Sequence, residues 1–333
     1  MHGKSNRAVL TALALATLLI ANAVLARDGA RNGISAYPAK PVRMIVPLAP
    51  GGGSDIVGRI VAQALDEHWG QPVVVDNRPG AGSTVGTAIA ARAPADGYTL
   101  LVSSSSMAIS PALYKNLSFD IKRDFDEVTL IASQPSILAV HPSVPVSSVR
   151  ELIALAKSQP GKLSFASAGA GSATHLGTEL LQHAAGISML HVPYKSAGLA
   201  TSALLSGEVQ VLLTNMASTL PYVKSGKIKA LGVSSLQRSP LAPALPTIAE
   251  AGVPGFEYAT WYGMLVPDGT PKPLIARIQA DTAKVISNAQ VRERFAKLGL
   301  TAYGTSPADF QAYLGTEIAK WDRLVRIAKV QTQ

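Results

Sequence analysis

Short apolar runs and longer stretches of helical spacing alternate along this chain. Residues 42–48 are almost free of polar side chains, which is typical of a strand covered on both faces. From residue 56 to residue 65, apolar side chains recur three and four positions apart, which indicates a helix. Three glycines, at positions 51–53, separate the two segments. The pattern therefore predicts a buried strand, a glycine loop and a helix in succession.

The glycine loop is the first candidate binding site. Ser54 or Asp55 is expected to cap the helix, and Gly70 suits its C-terminal end. A loop at a helix start leaves backbone N–H groups unpaired at the positive end of the helix dipole. We therefore predict an anion site that uses Gly52, Gly53, Ser54 and Asp55. Because the Asp55 carboxylate would repel an anion, we expect it to cap the helix or to accept a bond from a ligand amine, hydroxyl or water.

A serine run follows the third predicted strand. Strands over residues 72–77 and 97–102, with a helix over residues 84–93 between them, predict a parallel sheet covered by helices. Ligands bind beyond the carboxyl ends of such strands, so the serine run and the glycine loop are expected to face one cleft. A solvated polar loop is the alternative for the run. The candidate hydroxyl donors are Ser103, Ser104 and Ser105.

Two long apolar segments predict connections between two domains. The first covers residues 128–140, with an interruption at residues 133–135, and the second covers residues 258–266. Two α/β domains joined by two crossover strands describe a hinged protein that closes around a ligand in its cleft. The predicted segments are a signal peptide over residues 1–26, domain 1 over residues 27–136 and 256–333, and domain 2 over residues 137–255.

The second predicted domain repeats the strand–loop–helix pattern. A strand over residues 163–166 and a loop of small residues over 167–172 precede a helix over residues 173–185. Asn215, at the end of another strand, is a candidate contact for the far end of a ligand or a helix cap. Trp261 and Tyr262 are candidate walls of the cleft or core residues. The loop candidates are Ala168, Gly169, Gly171, Ser172 and His175.

Composition and motif spacing exclude several classes of site. Cysteine is absent, which excludes disulfides and thiolate sites. The histidines lack zinc-site spacing, the glycine loops do not match nucleotide motifs, and G-x-S-x-G is absent. We therefore predict no metal, no cofactor and no catalytic residue. The formal net charge is +9, but the basic residues are scattered, so no nucleic-acid partner is expected.

The first 26 residues are typical of a secretory signal peptide. Lys4 and Arg7 precede an apolar stretch over residues 8–20, and small residues end at Ala26. The apolar stretch is short and rich in alanine for a membrane span. We therefore expect cleavage near Ala26 and a protein in the periplasm. A monomer is also expected.

Six stretches together resemble the solute receptors of tripartite tricarboxylate-type transporters, the Bug family. They are residues 37–43, 50–55, 77–82, 96–100, 167–172 with His175, and 191–195. The resemblance covers essentially all of the chain after the signal peptide. It implies a class II periplasmic-binding-protein fold that captures small carboxylates with backbone amides, hydroxyls and water, without an obligatory arginine. It also implies contacts from residues 52–55, the serine run and residues 168–172.

These expectations define one function and its alternatives. The chain is expected to be a non-catalytic receptor that delivers a small carboxylate to the membrane permease of a tripartite tricarboxylate-type transporter. A second hypothesis is a ligand sensor that reports to a membrane signalling protein. An exported hydrolase that uses the serine run is a third, although no histidine or acid motif accompanies those serines. A scaffold that only binds a partner protein is a fourth.

Overall fold

The computed structural model describes residues 36–327, so the predicted signal peptide lies outside the described residues. In chain order, the strands are β1 (Val42–Val46), β2 (Val73–Asn77), β3 (Thr99–Ser104), β4 (Phe125–Val140), β5 (Ser164–Ser167), β6 (Leu190–Pro193), β7 (Val211–Asn215), β8 (Lys229–Val233), β9 (Ala259–Pro267) and β10 (Thr301–Ala302). The helices are α1 (Gly53–Trp69), α2 (Thr84–Ala91), α3 (Ser105–Leu113), α4 (Ile121–Asp124), α5 (Val149–Ser158), α6 (Ala173–Ala185), α7 (Ala197–Ser206), α8 (Met216–Lys224), α9 (Lys272–Ser287), α10 (Ala289–Lys297) and α11 (Pro307–Ile327).

The two halves of the sheet share one strand order. In the first half, β1 pairs in parallel with β2 and β3, and β3 pairs antiparallel with β9. In the second half, β5 pairs in parallel with β6 and β7, and β7 pairs antiparallel with β4. The loops that follow β1 and β5 therefore occupy equivalent places, and so do the ends of β3 and β7.

Strand β4 connects the two halves without a break. Residues 125–135 pair with β9, whereas from Ser136 onward the strand pairs with β7 and, from Ile137, also with β8. The predicted interruption at residues 133–135 is wrong, because β4 is one strand of 16 residues. Pro135 lies where β4 changes partner, at the end of a ladder, and a residue without an N–H is tolerated there.

Helix α1 begins earlier than its apolar pattern indicates. Its N-cap is Gly52, which has no side-chain cap bond, so the expectation that Ser54 or Asp55 caps the helix is wrong. Ile56 is 37% exposed, whereas Val57 and Leu65 are buried. Gly70 ends the helix in the left-handed conformation, with φ of 66°, as expected from its lack of a side chain.

Several predicted helices are confirmed and others were missed. The helices predicted over residues 84–93 and 173–185 are α2 and α6. The pattern did not indicate α3, α7, α9 or α10 individually. Helix α3 begins within the serine run and contains Pro111. Serine and proline both have low helix propensity.

The largest apolar core runs through both halves of the molecule. It contains Leu101 and Trp261 from the first half and Phe165 and Leu213 from the second. Helix α11 contributes to this core with buried side chains at helical spacing, including Phe310. A second core lies under α1, α9 and α10, and a third lies in the second half.

Candidate functional site

The first turn of α1 presents unpaired backbone donors. Within residues 36–327, the N–H groups of Gly53, Ser54 and Asp55 donate to no protein acceptor, since the helix has no side-chain cap. The Ser54 hydroxyl is buried and also lacks a partner among the described residues. Three amides and one hydroxyl at the positive end of a 17-residue helix can bind an anion.

Asp55 stabilises the loop in front of this helix. Its side chain is buried, and its carboxylate accepts bonds from Gly51 N at 2.9 Å, Arg59 Nε at 3.0 Å and Asn77 Nδ2 at 3.0 Å. Burial raises the pKa of this carboxyl, but the bonds from Arg59, Gly51 and Asn77 outweigh burial and lower it. Both carboxylate oxygens are engaged, and the negative charge is paired with Arg59. These contacts fit a loop-holding role and leave the nearby amides free.

The serines of the run have different contacts, and only some of them are free to bind a ligand. Ser105 Oγ accepts a bond from the backbone N–H of Trp261 at 3.1 Å, which ties α3 to β9. Ser104 is the N-cap of α3 without a side-chain cap bond, and it lies directly opposite Tyr262 in the ladder between β3 and β9. The Ser103 hydroxyl is buried without a partner among the described residues.

Buried hydroxyls without partners concentrate at one edge of the sheet. Buried polar atoms are nearly always hydrogen-bonded, so each exception calls for an explanation. Three of these hydroxyls lie near the carboxyl ends of the parallel strands in the first half, and two lie at the end of β7 or opposite it. Within residues 36–327 they are Ser54, Ser83, Ser103, Ser136 and Thr214.

The equivalent loop in the second half satisfies most of its own amides. Ala168 N donates to Thr174 Oγ1 at 2.9 Å, and Gly169 N donates to Ser167 Oγ at 3.1 Å. Gly171 N donates to His175 Nδ1 at 3.1 Å, so it is already paired as well. Ligand binding by Ala168, Gly169 and Gly171 therefore stays a prediction. The internal bonds do not favour binding through the N–H groups of these residues.

Ser172 and the residues after it define the start of α6. The Ser172 hydroxyl caps the helix by accepting a bond from His175 N at 3.3 Å. Among the described residues, the amides without an acceptor near this loop are those of Ala170, Ala173 and Thr174. A Cβ atom on Gly171 would lie 2.6 Å from the Leu113 side chain of α3, so the loop approaches the first half closely.

His175 stabilises the loop over residues 167–172 through its bond to Gly171 N. Its ring stacks on His191 with centroids 3.9 Å apart, and the Phe165 ring lies beside both, 4.9 Å from His191 and 6.2 Å from His175. Burial, followed by the neighbouring His191, lowers the pKa of His175 to about 4, and burial lowers the pKa of His191 to about 4. Both rings are therefore neutral near pH 7, which leaves His175 Nδ1 free to accept the Gly171 bond.

Trp261 and Tyr262 face opposite sides of β9. The Trp261 indole is fully buried in the core and donates to Glu317 Oε2 at 3.0 Å. The Tyr262 hydroxyl accepts a bond from Gln134 Nε2 at 2.8 Å and lies so close to Gly53 that a Cβ atom there would overlap it. The contacts of Trp261 fit the core alternative, and Tyr262 is the aromatic residue at the start of α1.

Asn215 lies on the other side of Tyr262. It ends β7 as the N-cap of α8 without a side-chain cap bond, and its side-chain amide reaches the Tyr262 hydroxyl. The site residues that the sequence did not identify are Ser83, Gln134, Ser136 and Thr214. The alternation of side chains along β9 is the signal that separates Tyr262 from Trp261.

The described residues contain no group of three His, Cys, Asp or Glu side chains placed to hold a metal ion. Nowhere between residues 36 and 327 does a helix have both the length and the apolar character of a membrane span.

Two α/β halves, two connecting strands and helix starts at a shared edge define the class II periplasmic-binding-protein fold. The family described as "Tripartite tricarboxylate transporter family receptor" matches residues 57–330, and the chain belongs to it. BugT of Bordetella pertussis is 37% identical over 313 residues, which cover 93% of this chain and 96% of BugT. The expected family and fold are therefore confirmed.

Solved structures show the same similarity. An R. palustris protein with adipate matches with a TM-score of 0.83 and 34% identity, covering 89% of this chain and 100% of that chain. MatC from Rhodopseudomonas palustris, with bound malate, matches with a TM-score of 0.79 and 30% identity, covering 87% and 100%.

Proposed function

We propose that this protein is a periplasmic receptor that binds a small organic carboxylate between its two halves. The observation that carries the proposal is the set of unpaired donors at the carboxyl edge of the sheet, centred on the first turn of α1. Neutral donors held rigidly in a partly desolvated cleft bind a carboxylate without a buried positive charge. Arg59 supplies no free charge here, because it pairs with Asp55.

The ligands named for two similar structures support this ligand class. Adipate and malate are both small dicarboxylates, and the proteins that carry them share 34% and 30% identity with this chain. Donors on both halves, including Ser54 in the first and Thr214 in the second, suit a ligand with a polar group at each end.

The proposed domain division follows from the course of β4. Domain 1 comprises residues 27–136 and 256–333, and domain 2 comprises residues 137–255. The change of partner from β9 to β7 at Pro135 and Ser136 supports a boundary near residue 136. Residues 1–26 are proposed as a cleaved signal peptide, as export to the periplasm requires.

Calorimetric titration tests the binding proposal. Protein unfolded and refolded to remove any retained ligand is titrated with adipate, malate, citrate, glutamate and benzoate, with adipamide as the uncharged control. We expect at least one carboxylate to bind with a Kd of about 10 µM or tighter, and adipamide to bind far more weakly. Failure of every acid to bind would sink the proposal.

Delivery to a permease of the tripartite tricarboxylate type follows from family membership as a further proposal. Uptake of the identified acid, radiolabelled, is compared in cells with and without the receptor. Loss of uptake supports delivery, whereas unchanged uptake with an altered transcriptional response indicates the sensor alternative.

One geometric observation favours the hydrolase alternative, and it concerns residues outside the serine run. Ser167 Oγ and His191 Nε2 are 2.6 Å apart, the spacing of a nucleophile and its base. Ser167 is fully buried, however, and the lowered pKa of His191, about 4, makes the ring a weak base. We therefore propose a receptor and no catalytic residue.

A further inference from the structure

The hydroxyl of Tyr262 lies where four structural elements meet. Tyr262 belongs to β9, and its side chain is 1% exposed. The hydroxyl contacts Gln134 of β4 at 2.8 Å, Asn215 at the end of β7, and the first residue of α1, Gly53. Both connecting strands and both halves of the molecule thus converge on one oxygen atom.

The hydrogen bonds around this oxygen leave its own hydrogen unused. A phenol has one hydrogen to donate and can accept through its oxygen. The side-chain amide of Gln134 donates to this oxygen at 2.8 Å, so the oxygen already serves as an acceptor. Within residues 36–327, no acceptor is paired with the phenolic hydrogen. That hydrogen lies beside Gly53, where the unpaired amides of α1 begin.

We propose that Tyr262 donates its phenolic hydrogen to a ligand carboxylate seated on the first turn of α1, and so holds the ligand against both halves of the molecule. This inference rests on the proposed carboxylate-binding function. The amides of Gly53 and Ser54 bind the carboxylate from the helix side. The phenol binds it from the side of the connecting strands, and its oxygen is held in place by Gln134.

Two features of the site suit Tyr262 to this role. Burial raises the pKa of the phenol, with a partial offset from Gln134 and Asn215, so the donor keeps its hydrogen throughout the range in which carboxylates are ionised. Gly53 lacks the side chain that would overlap the hydroxyl, so the phenol can approach the helix start. The glycine at position 53 therefore has a packing reason.

Tyr262→Phe removes the donor and keeps the ring. We expect the Kd for the tightest-binding acid of adipate, malate, citrate, glutamate and benzoate to rise about ten- to hundredfold, as for the loss of one hydrogen bond to a charged group. Tyr37→Phe is the matched control, because the buried Tyr37 hydroxyl donates to Gly97 O at 2.7 Å far from the site. The Kd of this control should stay within about twofold of wild type.

A second variant separates binding from folding. Tyr262→Phe leaves the Gln134 amide without its acceptor, which lowers thermal stability. In Tyr262→Phe/Gln134→Met that amide is gone, so the thermal midpoint of the unliganded protein should recover while the Kd remains raised. A merely structural role would restore the Kd together with the midpoint.

The outcomes distinguish this inference from the function on which it rests. Binding by wild type with an unchanged Kd in both Tyr262 variants overturns the role of the phenol and leaves the receptor function intact. Absence of binding by wild type to all five acids overturns both. An equal loss of affinity in Tyr37→Phe also overturns the inference, because the effect would then not be local.

Discussion

At the scale of residues, the charged side chains nearest the proposed anion site are already paired. Asp55 and Arg59 neutralise each other on α1, and the Asp55 carboxylate also holds Gly51 and Asn77. The unpaired donors beside them are uncharged amides and hydroxyls. A site of this kind binds an anion through the number and direction of its donors, so geometry sets its selectivity more than net charge does.

Asp55→Asn should weaken the fold without changing which acid binds best. The variant keeps the shape of the side chain but loses the bonds that its charge strengthens, so we expect unfolding to become easier by about 1–2 kcal/mol. This value is kept low because Arg59 is half exposed and its attraction is screened. Urea denaturation measures the loss, and the ligand panel measures the ranking.

The matched control for Asp55→Asn is Asp322→Asn. Asp322 pairs with Arg326 at the same four-residue spacing on α11, but both side chains are exposed. Its loss should cost no more than about 0.5 kcal/mol. A reordered ligand ranking in Asp55→Asn would contradict the loop-holding role and point to direct ligand contact.

At the scale of elements, the start of α6 depends on a neutral histidine stack. His175 accepts the Gly171 N–H through Nδ1, which it can do only while that nitrogen carries no proton. His191 stacks against it, and the carboxylate of Glu179 lies 3.7 Å from His175 Nε2. Protonation of either ring therefore works against the folded loop.

The histidine stack predicts stability that falls on acidification. Each ring has a pKa of about 4 in the folded protein, below its ordinary value of 6.5. Between these values the unfolded chain binds more protons, so the free energy of unfolding should decrease as pH falls from about 6.5 to 4. The loss due to His175 is on the order of 3 kcal/mol. Urea titrations across this range measure it.

Comparison with His175→Gln isolates this effect. Glutamine can accept the Gly171 bond but does not titrate, so the variant should lose stability less steeply with acid than wild type. Burial raises the pKa of Glu179, whose opposite pH dependence is present in both proteins and cancels in the comparison to first order. His183→Gln, on the exposed side of α6, is the control and should keep the wild-type slope. Equal slopes for all three proteins would refute the account.

At the scale of the whole molecule, the two halves are joined by packing as well as by two strands. The largest core cluster contains residues from both halves, including Leu101 and Phe165. Leu113 of α3 lies against Gly171 across the cleft. Binding a ligand between the halves therefore adds contacts to a core that already couples them.

This shared core predicts one cooperative unfolding transition. Differential scanning calorimetry should show a single peak with equal calorimetric and van't Hoff enthalpies. A ligand at a hundredfold excess over its Kd should stabilise the protein by about 2.7 kcal/mol and move the whole peak to higher temperature. Two resolved peaks, with only one moved by ligand, would show that the halves unfold independently.

Much of the element order could be predicted from the sequence, while side-chain roles often could not. The apolar runs and Gly70 located β1 and α1, and the repeated strand–loop–helix pattern located α6. The role of Trp261 depended on which face of β9 meets the helices, a choice that strand alternation alone leaves open. The continuity of β4 through Pro135 depended on its two partners, which lie far away in the sequence.

The local sequence determined the strands, glycine loops and helix ends of this protein, because these depend on apolar periodicity and on backbone freedom over a few residues. The tertiary structure alone decided which donors remain unpaired. Within the part of the chain that the structure describes, the loop after β1 leaves the first three amides of α1 free, whereas the loop after β5 bonds most of its own amides and leaves only those of Ala170, Ala173 and Thr174 free. It also placed Gly53, Gln134, Asn215 and Tyr262 around one oxygen atom. Such a meeting of four distant segments has no local signature, since it arises only when the two halves pack together.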